Sequence, residues 1–82
     1  MCRNITILRG LEPPATPEEI EAASRQYVRK VSGIRQPSVA VEARFEQAVT
    51  EITAITTQLL AALPARRQPP KSVPPLRVHG HA

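Results

Sequence analysis

The chain has no aspartate and no tryptophan, and only one cysteine, one tyrosine and one phenylalanine among 82 residues. Without aspartate, an aspartate-based triad or an aspartate-centred magnesium site cannot be built. A single cysteine, Cys2, excludes an intramolecular disulfide and gives no disulfide framework of the kind found in small secreted domains. With two aromatic rings, any core must be aliphatic. No segment approaches the roughly 20 apolar residues of a membrane span. The opening MCRNITILRG carries no apolar run of signal-peptide length. A cytoplasmic location and no membrane partner are therefore expected. The three glycines, Gly10, Gly33 and Gly80, are too scattered for a phosphate-binding loop.

What is abundant is proline and positive charge, both concentrated at the end of the chain. Five of the nine prolines lie in residues 64–82, PARRQPPKSVPPLRVHGHA. The formal net charge is +4, and Arg66, Arg67, Lys71 and Arg77 account for that excess. Residues 1–36 carry +2 and residues 37–63 carry −2, so the part expected to fold is balanced. Positive charge favours nucleic acid, anionic membrane or acidic protein partners. Its confinement to the tail weakens a nucleic-acid argument based on overall charge. The division expected is residues 1–63 as an arm plus folded unit, and residues 64–82 as a Pro-rich basic tail. The tail favours polyproline II conformations, but no two of its prolines are three apart, so the PxxP signature is missing. It reads as a charged linker or a segment that wraps a partner.

Two helices are expected, at about 17–32 and 39–63. Thr16 suits the first N-cap, Pro17 the first helical position, and Glu19 completes a capping box. Glu18 and Glu19 face the positive end of the helix dipole, while Arg29 and Lys30 face the other. Gly33 suits a C-cap of positive φ. Ile20, Ala23, Tyr27, Val31 and Ile34, flanked by Val28, recur at helical spacing. Ser38 is the second N-cap, without a capping box because Val41 stands at the third position. Val41, Phe45, Ala48, Ile52, Ile55, Leu59 and Leu63 form the second stripe, flanked by Val49, Thr56 and Leu60, and Glu46 is placed on the solvent side. Pro64 stops the helix. The fold class is all-α: an antiparallel two-helix hairpin, with dimerisation as a four-helix bundle one way to complete it. Residues 3–11 read as an arm, with Ile5, Leu8 and Leu11 against the helices. At 1.5 Å per residue the helices span about 24 Å and about 37 Å. The end bearing Leu59, Leu60 and Leu63 therefore needs cover from the arm or from another molecule.

Little in the sequence carries chemistry. Cys2, beside Arg3, is the candidate reactive thiol, although a small packing side chain at the start of the arm is the favoured explanation. His79 and His81 with Cys2 could make a three-ligand zinc set, but their spacing matches no compact motif, so no metal and no cofactor is assigned. Arg25, Arg29 and Lys30 could meet phosphates or an acidic protein, but pairing of Arg25 with Glu21 at i,i+4 and dipole compensation are the favoured explanation.

The segments MCRNI, LRGLEPPAT, EEI, QYVRKVSG and a later PS before a long helix occur in the order seen in a family of short bacterial proteins classified as a domain of unknown function, which the sequence resembles from about Met1 to Leu63. The resemblance implies that arm and hairpin form one unit. It supplies no activity. It marks Met1 to Ile5, Pro13 to Thr16, Tyr27 to Lys30, Ser32, Gly33 and Phe45 as a candidate shared surface.

The function expected is a small non-enzymatic interaction or assembly module, acting on a protein partner or a second copy. The candidate surface is Arg3, Asn4, Arg25, Arg29, Lys30, Leu59, Leu60 and Leu63, with Arg66, Arg67, Lys71 and Arg77 as tail contacts. RNA, DNA or ribosome association is the alternative, and a thiol-dependent role for Cys2 a third. No catalytic residues are assigned.

Overall fold

The structure, a computed structural model, describes residues 3–64 and 73–79. Its elements are α1 (Pro17–Ser32), α2 (Val39–Ala62) and the short α3 (Pro75–His79). The described residues are all helix and irregular chain, so the expectation of an all-α hairpin with an N-terminal arm holds.

Each long helix begins and ends for a local reason. The Thr16 hydroxyl accepts the Glu19 N–H at 3.1 Å, and the Thr16 N–H donates to Glu19 Oε1 at 2.8 Å. This reciprocal box satisfies two backbone donors that would otherwise lack partners. Gly33, at φ 73°, ends α1 and donates its N–H to Arg29 O at 2.9 Å. Only glycine takes that conformation without steric cost. Ser38 is the N-cap of α2 by position, but its side chain makes no capping hydrogen bond.

The helices run antiparallel, as their pairings show: Arg25 meets Glu46, Val28 packs with Phe45 and Val49, and Ile20 shares a cluster with Leu60 near the far end of α2. Two apolar clusters result. Val28, Phe45 and Val49 fill the seam, with Ile34, Ala48 and Ile52 against them. Leu8, Leu11 and Ile20 form the second, backed by Ala15 and Leu60. The arm thus occupies the place where α1 has ended and α2 continues. Arg9 ties it down by donating from Nε and Nη2 to Pro64 O at 2.9 and 2.8 Å. Leu8 and Leu11 are buried as expected, whereas Ile5 is exposed.

Two expectations need correction. The seam of α1 is Ile20, Ser24 and Val28, so Tyr27 and Val31 of the expected stripe are exposed. The seam of α2 is Phe45 and Val49, with Ile52, Thr56 and Leu60 partly buried, so Val41, Ile55 and Leu59 are exposed. The physical reason is width. Each sequence stripe is broader than one neighbouring helix can cover, and the helices chose the side containing small Ser24. Ser24 Oγ donates to Ile20 O at 3.0 Å, so its burial leaves no unpaired donor.

The end of the chain also departs from expectation where it is described. Pro74 is fully buried and Arg77 folds back onto α1, so residues 73–79 belong to the folded unit and are not extended linker.

Candidate functional site

The two edges of the helix seam differ in chemistry. In an antiparallel pair, residues displaced to the same angular side of each seam lie on the same side of the hairpin. One edge is polar. Arg25 Nη1 and Nη2 donate to Glu46 Oε2 and Oε1 at 2.7 and 2.9 Å, a two-pronged bridge between helices. Arg25 Nη2 also reaches Glu21 Oε2 at 3.3 Å, the i,i+4 pairing expected. Hydrogen bonding to Glu46 raises the Arg25 pKa above its ordinary value, against partial desolvation, with Glu21 adding to the effect. The same guanidinium holds the Glu46 carboxyl below the usual range. Glu18, Glu21, Thr50 and Thr53 continue this edge. Glu46, expected on the solvent side, instead closes it.

The other edge is apolar. Tyr27 and Val31 on α1 are 49% and 66% exposed, and Ile55 and Leu59 on α2 are 61% and 56% exposed. Val41 is exposed as well, and Ala48 and Ile52 are half-buried between these residues and the core. Helical spacing puts Val41, Ala48 and Ile55 two turns apart in one row, with Leu59 one turn beyond. The largest apolar patch on a soluble protein is often a functional surface.

A third feature lies at the arm. Leu8, Leu11, Ile20, Leu60 and Leu63 line an open, mainly apolar groove of about 370 Å³. Leu60 is thus covered by the arm, while Leu59 points away from it. Beside the groove, Glu19 is 4% exposed and accepts from Arg77 Nη2 at 3.0 Å and Nε at 3.1 Å. Arg77 Nη2 also donates to Pro14 O at 3.3 Å. The Arg77 hydrogen bonds hold the Glu19 carboxyl below its ordinary pKa despite burial, with help from the Thr16 backbone N–H.

The candidate residues of the sequence are therefore dispersed. Asn4 donates its N–H to Gln26 Oε1 at 2.6 Å, which ties the arm to the back of α1. Arg3, Arg29 and Lys30 are exposed; Arg29 borders Arg35 and Gln36. Arg25 and Arg77 are held in internal ion pairs. Cys2, Arg66, Arg67, Lys71 and His81 lie outside the described residues. Among the described residues no group of three histidine, cysteine or acidic side chains is gathered in one place, and no helix is long and apolar enough to cross a membrane. Sequence reasoning missed the Arg25–Glu46 and Arg77–Glu19 pairs because each joins residues distant in the chain. It missed the exposure of Tyr27, Val31, Val41 and Ile55 because periodicity does not say which part of a wide stripe a neighbour covers.

No curated protein and no solved structure matches the chain. A family model described as an uncharacterized conserved protein (DUF2277) matches residues 1–78, and the chain belongs to that family. The match spans the arm, the hairpin and all but the last residue of α3.

Proposed function

We propose that this member of the DUF2277 family is a protein-interaction or assembly module whose binding surface is the apolar edge of its hairpin. The observation that carries the reading is the exposed row of Val41, Ile55 and Leu59 beside Tyr27 and Val31. Burying such a row against another protein removes apolar surface from water, the main driving force of association. Two of the cations that a nucleic-acid reading would use are engaged within the chain, while Arg3, Arg29 and Lys30 are exposed. Arg25 and Arg77 already serve internal carboxylates, and withdrawing either would leave a carboxylate without its partner.

Affinity capture of the tagged chain beside an Ile55→Glu, Leu59→Glu variant tests the reading. Both positions are exposed, so the hairpin should retain its helix content by circular dichroism. A protein held by the wild type, whether a separately tagged copy or another chain, should be lost from the variant. Identical capture by both would remove the apolar edge as the binding surface.

A further inference from the structure

The apolar edge has a pattern that says what covers it. We propose that its occupant is a second copy of this chain, with the two α2 helices packed antiparallel about a twofold axis at Ala48. The proposal rests on the interaction reading above and names its partner.

Three observations carry it. The first is register. Val41 and Ile55 lie seven residues on either side of Ala48. An antiparallel copy centred there sets Val41 against the partner's Ile55, and Ile55 against the partner's Val41. Ala48, the smallest side chain of the row, meets its own copy at the axis and lets the backbones approach. The second is charge. Arg44 and Glu51 flank the row on the side away from the seam, and they are related by the same centre to within one residue. The twofold therefore brings Arg44 beside the partner's Glu51 twice. Among the described residues Arg44 has no ion pair of its own. This is the self-complementarity an isologous interface requires. The third is exposure. Tyr27, Val31, Val41, Ile55 and Leu59 are all exposed, so this edge keeps large apolar side chains available for burial against a copy of itself. The assembly is a four-helix arrangement with α1 outside α2, the polar Arg25–Glu46 edges facing water, and Leu59 reaching past the start of the partner's α2 toward its Val31 side.

Sedimentation equilibrium of the full chain across micromolar concentrations, with the charge pair swapped, tests this. The wild type should be a dimer. Ile55→Glu should be a monomer of unchanged helix content. Arg44→Glu and Glu51→Arg alone should each weaken the dimer about tenfold through like-charge contact across the axis. Arg44→Glu combined with Glu51→Arg should restore it. A wild-type monomer throughout overturns the proposal, as does a dimer indifferent to Ile55→Glu, or a double variant no tighter than the single ones. The wider interaction reading fails separately, when the apolar-edge variant captures the same proteins as the wild type.

Discussion

Glu19 does two things at once: it closes the capping box with Thr16 and receives Arg77 from the end of the chain. Its folded pKa is depressed, chiefly by the Arg77 hydrogen bonds. The linked stability is fully present above the unfolded carboxylate value of about 4.3 and is lost as pH falls through the depressed folded value. Glu46, lowered by Arg25, acts in the same direction. Unfolding free energy from denaturant titrations should therefore decline on acidification below about pH 4, and Glu19→Gln should flatten the decline. The two roles of Glu19 also separate by mutation. Thr16→Ala should cost about 1 kcal/mol, the usual value of a lost N-cap. Arg77→Ala leaves a buried carboxylate short of its partner and should cost about 2 kcal/mol. For a domain of this size that lowers the melting temperature by roughly 10 °C, measurable by thermal circular dichroism. A smaller loss for Arg77→Ala than for Thr16→Ala would show that the end of the chain adds little.

The helices themselves show how far a pattern can be read. Starts and stops were legible to within a residue, because capping is local chemistry: Thr16, Pro17, Glu19 and Gly33 act on backbone groups a turn away. The buried face was legible only as a broad sector. Both stripes are wide, and a single neighbour covers part of each. Val49, placed on the flank by periodicity, is 1% exposed, while Ile55 from the centre of the stripe is open. Mutations should follow the structure and not the stripe. Phe45→Ala removes the one phenylalanine from a filled seam and should cost about 3 kcal/mol. Val31→Ala, at a dilution where the chain is monomeric, should stay within about 0.5 kcal/mol. Equal losses at the two positions, read from chemical denaturation, would mean that the seam is misassigned.

For the whole molecule, the hairpin is not self-contained. The arm caps the overhanging end of α2 through Leu8, Leu11 and the Arg9 bonds to Pro64. The described end of the chain returns to α1 through Arg77, and Pro74 beside it is fully buried. Small chains bury a modest fraction of their surface, so these two additions matter. A chain stopped after Pro64 should melt below the Arg77→Ala variant, since it loses Pro74 as well. If dimerisation covers the apolar edge, the melting temperature of the wild type should rise with protein concentration, and that of Ile55→Glu should not. The order of residues by itself determined the all-helical class and the hairpin connection, because capping and helical period are properties of short segments, and the scarcity of aromatic rings made the core aliphatic. The tertiary structure alone decided which half of each apolar stripe is buried, that Arg25 meets Glu46, and that Arg77 folds back onto Glu19. Those outcomes depend on contacts between residues far apart in the chain, up to 63 positions for Arg77 and Pro14, and no local pattern specifies which distant side chain will meet which.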